Sequence, residues 1–147
     1  MNHQRHIIRE AIVSLLANAG TSAGSRVYDT PYDPRTVFPA LVVEADLEEQ
    51  QADNFGSSQT SRYITRNMRL IVNAEIQATT NYARSRDQLL ADVESILAAS
   101  SIAGVKSITP GGYSADLSMM GERPIAIGRQ MFSVVYVTTQ GNPASIN

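Results

Sequence analysis

Apolar residues recur at helical spacing in two segments of the chain. The first repeat predicts an amphipathic helix over residues 2–19, because Ile8, Ile12 and Leu16 follow one another at intervals of about one turn. The second repeat predicts a helix over residues 81–100, and its apolar stripe consists of Tyr82, Leu89, Leu90, Val93, Ile96 and Leu97. Each helix therefore has one apolar stripe to bury against another element.

Strand-like apolar runs lie between and after these helices. Apolar and polar residues alternate over residues 62–77, with Met68, Leu70 and Val72 on one face. Further extended segments are predicted at residues 26–29, 40–45 and 104–109, from the turn at 110–112 to residue 117, and at 125–139. The connections around the long strands are too short for repeated parallel crossovers. The element order therefore predicts an α+β domain, with a mainly antiparallel sheet and both helices packed on one face.

The 147 residues are expected to form one domain, residues 1–147. Three segments interrupt the regular pattern. The polar, acidic residues 47–61 predict a mobile loop or long hairpin tip, and residues 110–112, Pro-Gly-Gly, predict a turn between two strands. A loosely held tail is expected from residue 140 onward.

The last long run, residues 131–137, is apolar on both faces of a strand, whereas residues 68–76 are apolar mainly on one. A sheet covered by helices on one side should alternate, so the second face of the last run needs other cover. With only two helices predicted, we expect another copy of the protein to supply it. Phe132 and Tyr136 are accordingly predicted to lie at an inter-subunit or lumen surface, and the chain to be an assembly subunit.

Composition narrows the function classes. The chain is 43% hydrophobic and 18% charged with a formal net charge of −2, which argues against a general nucleic-acid binder. Arginine outnumbers lysine eleven to one, which favours fixed contacts with carboxylates at interfaces, although genome base composition explains the bias equally well. The absence of cysteine excludes disulfides, thiolate metal sites and a cysteine nucleophile. With no signal-like or membrane-spanning stretch in the sequence, we expect a soluble protein made in the cytoplasm.

Candidate chemistry is sparse. His3, His6 and Glu10 fall roughly on one side of the first predicted helix, where a metal site is conceivable, but a solvated helix start is the favoured interpretation. The same two histidines are the only ones in the chain, so no interior Ser/His/Asp relay is predicted. We therefore expect no catalytic residue, no metal and no cofactor.

Carboxylates cluster after the strand at residues 40–45. In a regular strand Glu44, Asp46 and Glu48 share one face, which predicts a stripe facing solvent or a partner rather than a pair for acid/base catalysis. Farther along the chain, Arg62 and Arg66 are in phase. They are predicted to line an inter-subunit surface or a lumen through which nucleic acid passes, or else a polar sheet face in water.

Several segments follow one another in a recognisable order: Arg5-x-x-Ile8-x-x-Ala11-Ile12-x-x-Leu15-Leu16, a loop with Arg26, Phe38-Pro39-Ala40-Leu41-Val42-Val43, Arg69-Leu70-Ile71-Val72, Asp87-x-Leu89-Leu90-x-x-Val93-Glu94-x-Ile96-Leu97, and the closing apolar strand. In this order of elements and in its apolar pattern the chain resembles the tail terminator proteins of long-tailed bacteriophages. The resemblance spans most of the chain and rests on pattern rather than on a short motif.

The resemblance implies a virion protein without enzymatic activity. Such a subunit forms a homohexameric ring that caps the tail tube, halts its polymerisation and presents the surface for head–tail joining. Its expected partners are further copies of itself, the tail tube protein and the head–tail connector, with DNA only as cargo passing through the lumen and no membrane. We hypothesise that Glu48, Glu49, Asp53 and Phe55 contact the tube or neck partner.

Two alternatives stay open. Within the same class, the chain is a head-side connector or stopper protein of the phage neck. From a different class, it is a small α+β enzyme or a ligand-binding domain, for which a deep pocket and a monomer or dimer are expected.

Overall fold

The computed structural model describes residues 3–29, 37–52, 63–118, 124–139 and 142–146. In this part of the chain two helices and six strands alternate in the order helix, strands, helix, strands. The elements are α1 Gln4–Ala17, β1 Val27–Tyr28, β2 Ala40–Ala52, β3 Tyr63–Gln77, α2 Tyr82–Ala98, β4 Val105–Ser118, β5 Ile125–Thr139 and β6 Asn142–Ile146.

Local signals set the ends of the helices. The His3 side chain accepts a hydrogen bond from the Arg5 backbone N–H at 3.0 Å, so it satisfies one of the unpaired N–H groups at the start of α1. At the other end Asn18 donates to the Ser14 carbonyl at 2.8 Å, and Gly20 adopts φ 75°, which permits the reversal. Both helices lie within the ranges that the apolar repeats predict.

The strands form one sheet in the order β1-β2-β3-β5-β4. Every pairing is antiparallel except that of β1 with β2, and β6 pairs with the end of β5. Both helices pack on the same face of this sheet, where their apolar stripes join the strands in one core. The predicted α+β class, with a mainly antiparallel sheet and two helices on one face, is confirmed.

The two faces of the sheet differ in cover. We call the side that packs on α1 and α2 the helix face, and the opposite side the open face, because neither described helix covers it. Strand register assigns each residue to a face, since directly paired residues point the same way. On the helix face lie Leu41, Val43, Met68, Leu70, Val72, Phe132, Val134 and Tyr136; on the open face lie Glu44, Asn67, Arg69, Ile71, Asn73, Met131, Ser133, Val135 and Val137.

This arrangement corrects the expectation for the last strand. Phe132 and Tyr136 are buried, at 2% and 0% exposure, by residues of their own chain in the core under the helices. The prediction that they form an inter-subunit or lumen surface is therefore wrong. Their neighbours Met131, Val135 and Val137 point to the open face and are only partly buried. The strand is apolar on both faces, as its sequence indicates, but the face without helix cover is the one that carries Met131, Val135 and Val137.

Three predicted irregular segments are partly regular. Residues 47–52 continue β2, paired antiparallel with β3 as far as Ala52 opposite Ile64, so here the chain forms an arm of a long hairpin and not a mobile loop. The rest of the predicted loop or hairpin tip, 53–61, lies outside the described residues. Residues 110–112 are not a turn, because β4 runs through them with a register shift between Pro110 and Tyr113. The predicted loose tail includes β6, which pairs with Thr138 and Thr139.

Candidate interaction face

A bulge in β2 decides where its carboxylates point. Ala45 pairs with Leu70, but Leu47 pairs with Arg69, so one extra residue enters β2 between them. Beyond the bulge the strand presents the opposite alternation, and Glu48 lies opposite Met68 on the helix face. The predicted single stripe of carboxylates is therefore wrong for Glu48.

The Glu48 carboxylate is the centre of a polar cluster at the edge of the core. Its Oε2 accepts hydrogen bonds from Arg5 Nη2 at 2.6 Å, Gln50 Nε2 at 2.8 Å and Arg66 Nη1 at 3.1 Å. Its Oε1 accepts from Arg5 Nε at 3.2 Å and from the Tyr136 hydroxyl. Only 7% of the Glu48 side chain is exposed. This set of residues is called the Glu48 cluster below.

The cluster keeps its charges paired. Burial by itself raises the pKa of Glu48, but hydrogen bonds from Arg5, Tyr136 and Gln50 outweigh it and hold the pKa at about 2, against an ordinary value of 4.5. Burial, and then the hydrogen bond to Glu48, raises the pKa of the Tyr136 hydroxyl. The carboxylate is thus ionised and the phenol is neutral under ordinary conditions.

Arg66 is part of this cluster rather than of an open surface. Its Nε donates to the Thr138 hydroxyl at 2.9 Å, and 9% of its side chain is exposed. The prediction that Arg66 lines an inter-subunit or lumen surface is therefore wrong. The Glu48 cluster instead joins the start of α1 to β2, β3 and β5, and so holds the helix against the sheet.

Polar pairs cross the open face. Arg69 makes a two-pronged contact with Asp46, at 2.8 and 2.6 Å, and its hydrogen bond lowers the pKa of that carboxyl. On the neighbouring strands the Ser133 hydroxyl lies 2.6 Å from Asn67 Oδ1, and Arg129 Nε donates to Asn73 Oδ1 at 3.2 Å. These pairs restrain polar side chains of the open face; Arg69 and Asp46 remain exposed, whereas Asn73 is buried.

Partly buried aliphatic side chains lie among these polar pairs. Along β5 they are Ile125, Ile127, Met131, Val135 and Val137. A shallow groove of about 260 Å³ runs beside Met131 and is also lined by Leu47, Asn67 and Arg69. Leu47 is 50% exposed. Aliphatic groups and fixed polar pairs are therefore interleaved on the open face.

The remaining predicted site residues have mixed outcomes. Glu49 is exposed and pairs with Asn67 on the open face, whereas the burial of Glu48 contradicts its predicted place in a mobile partner-binding loop. Asp53, Phe55 and Arg62 lie outside the described residues, so their hypothesised roles stay predictions.

The side chains at the start of α1 are not arranged to bind a metal ion. His3 caps the helix, and His6 Nε2 lies 3.1 Å from Glu10 Oε1, one turn along the surface. Among the residues that the structure describes, no three histidine or carboxylate side chains are placed to share a metal ion.

Comparison with known proteins adds no assignment to this surface. Neither protein-family models nor curated proteins match the chain. Within the described ranges, none of the helices is long and apolar enough to cross a membrane.

Sequence reasoning missed the Glu48 cluster, although one signal was present. Arg66 continues the alternation of Met68 and Leu70, so a charged side chain had to occupy the face that those apolar residues bury. A buried arginine requires an acidic partner, but the bulge that brings Glu48 to it leaves no mark in the apolar pattern.

Proposed function

We propose that this protein is a structural subunit of a bacteriophage tail, which forms a ring on the tail tube, stops tube polymerisation and provides the surface for head joining. The observation that carries the proposal is the open face, where aliphatic side chains of the interior strand β5 are only partly buried and have no cover from either described helix, although Val42 and Ile71 on the same face are buried. The resemblance of element order and apolar pattern to tail terminator proteins supplies the class of assembly.

Self-association follows from the cost of leaving this surface in water. Burial of apolar area stabilises an association by about 25 cal/mol per Å². Further copies of the chain carry the same apolar surface, so they are available as partners for one another. A contact between two different surfaces of the chain repeats head to tail, and it closes into a ring when the rotation permits. A ring whose one side binds the tube, while its other side cannot add a tube subunit, ends polymerisation.

Glu49 is the described residue best placed to meet a partner. It is exposed and lies beside the groove at Leu47, on the part of β2 beyond the bulge. In this proposal Glu49, together with Asp53 and Phe55, contacts the tube or the neck protein. Glu48 supports that contact only indirectly, because it anchors the strand that presents Glu49.

Tube growth in the presence of the purified chain tests the proposal. Tubes polymerised from the cognate tube protein are expected to stop elongating when the chain is added, and electron micrographs are expected to show a ring at one tube end. Glu49→Lys is expected to weaken capping, whereas Ser95→Lys, an exposed change on α2, is expected to leave it intact. Unchanged tube lengths and bare ends would contradict the proposal. Binding to head connectors but not to tubes would favour the connector alternative instead.

A further inference from the structure

The bulge in β2 interrupts an alternation that the sequence would otherwise continue. Three residues of the strand, Leu41, Val43 and Ala45, lie at every second position against the core on the helix face. Leu47 is the next residue of that series. Because the bulge comes before it, Leu47 instead pairs with Arg69 on the open face and is 50% exposed. The observed register therefore leaves half exposed a side chain that a regular strand would place against the core.

A register without the bulge is one residue away. In this shifted register Leu47 lies opposite Met68 on the helix face, in the position that Glu48 holds in the structure, and every later residue of β2 changes face. Leu47 then packs beside the apolar side chains that Met68 and Leu70 contribute to the core. The ladder becomes regular, because β2 no longer has an extra residue that β3 lacks.

The acidic residues of β2 serve the arginines of β3 in both registers. In the structure Glu48 bonds to Arg66, and Asp46 bonds to Arg69. In the shifted register Glu49 lies directly opposite Arg66. Asp46 then lies directly opposite Arg69, and opposite charges in such positions attract across a strand pair. The adjacent glutamates at 48 and 49 thus let the strand shift without leaving the buried Arg66 unpaired, which would be costly.

The two registers gain from different contacts. The observed register keeps the hydrogen bonds that Arg5, Gln50 and Tyr136 donate to Glu48. The shifted register gives up these bonds and gains the burial of Leu47 and a ladder without a bulge. Hydrogen bonds to a carboxylate and the burial of a leucine side chain stabilise by similar amounts. The two sets of contacts therefore offset one another.

We infer that residues 47–51 exchange between these two registers, so that this part of β2 is a conformational switch for the open face. In the observed register Leu47 and Glu49 are on the open face, beside the groove. In the shifted register both move to the helix face, and Glu48 takes the place opposite Asn67. A partner that contacts Leu47 and Glu49 selects the observed register and raises its population. The exchange belongs to the chain alone and does not depend on the proposed function.

Cross-strand disulfides test the exchange, because each register brings a different residue to the same site on β3. In the structure Gln51 lies opposite Thr65 on the open face, and in the shifted register Gln50 takes that position. One double variant carries Gln51→Cys and Thr65→Cys, and the other carries Gln50→Cys and Thr65→Cys. The chain has no native cysteine to interfere. In a glutathione redox buffer both variants are expected to form the intramolecular disulfide, and the ratio of the two equilibrium constants measures the ratio of the registers.

A further substitution separates exchange from simple opening of the strand end, which would also bring the cysteines together. Leu47→Lys puts a charge on the helix face in the shifted register only. In the Gln50 variant it is expected to lower the disulfide equilibrium constant by at least about tenfold, because lysine loses the burial of leucine and adds a charge. The Gln51 variant is expected to keep its constant. Equal constants with and without Leu47→Lys in the Gln50 variant would overturn the inference.

Strand β4 supplies the matched control, because residues 113–118 pair with β5 in a regular register. Ser114 lies opposite Arg129 on the open face, and its exposed neighbour Ala115 lies on the other face. Ser114→Cys with Arg129→Cys is expected to form a disulfide, whereas Ala115→Cys with Arg129→Cys is expected to form none. If the Gln50 variant forms no more disulfide than the Ala115 variant, the exchange between registers is refuted.

Discussion

At the scale of single residues, the Glu48 carboxylate links the stability of the fold to pH. Its pKa is about 2 in the folded chain and 4.5 ordinarily, so the unfolded chain binds more protons between these values. The stabilisation is complete above about pH 4.5 and is lost as the pH falls towards 2. A shift of this size corresponds to about 3 kcal/mol.

Glu48→Gln is therefore expected to lower the free energy of unfolding by about 3 kcal/mol at neutral pH and by much less in acid, because glutamine has no proton to gain. Urea denaturation from neutral pH down to about pH 3 measures both values. Glu49→Gln, at the exposed neighbouring position, is the matched control. A gap between wild type and Glu48→Gln that stays constant with pH would show that the carboxylate is not held ionised as described.

Tyr136→Phe isolates one bond of the same cluster. The ring stays in the core, and only the hydroxyl that donates to Glu48 is lost. We expect a loss of about 1–2 kcal/mol in the free energy of unfolding, because a buried carboxylate loses a donor. Tyr113→Phe, which removes an exposed hydroxyl 3.4 Å from Asp87, is expected to change stability by less than about 0.5 kcal/mol. Equal effects of the two changes in urea denaturation would contradict the account.

At the scale of elements, residue spacing predicted much of the fold. The repeats of α1 and α2 and the alternation of β3 are set by one buried face, so the helices, the long strands and the α+β class follow from the pattern. The bulge after Ala45 was not predictable, because an inserted residue reverses the alternation without changing composition. The turn predicted at residues 110–112, Pro-Gly-Gly, is instead an irregular part of β4, since glycine permits a bulge as readily as a turn.

The packing of α2 on β5 depends on Gly128. A Cβ at this position would lie 2.8 Å from Arg86 Cδ and 2.9 Å from Leu90 Cδ1, so the helix or both side chains must shift. We expect Gly128→Ala to cost about 1–3 kcal/mol in the free energy of unfolding, as overpacking generally does. The matched control is Gly112→Ala on β4, where an added Cβ meets nothing within 4 Å. Denaturation midpoints that do not separate these two variants would count against close contact between α2 and β5.

At the scale of the whole molecule, sequence predicted the need for cover but assigned it to the wrong residues. The two-faced run in β5 correctly indicated that both sides of the strand are apolar. Which side the helices cover depends on the register of β3 with β5 and on the positions of both helices. These depend on contacts between residues far apart in the sequence, so the local spacing of apolar residues does not determine them. The surface that we propose for interaction is therefore the open face, and not Phe132 and Tyr136.

The central claim is that another copy covers the open face, and the mass of the purified chain in solution tests it most directly. Light scattering over a range of concentrations is expected to give a multiple of 16.0 kDa for the wild type. Val135→Lys on the open face should reduce the mass to that of one chain, while Ser95→Lys on α2 should not, with circular dichroism confirming that both variants are folded. A wild type that stays at 16.0 kDa at every concentration, alone and with tail tubes, would contradict the account.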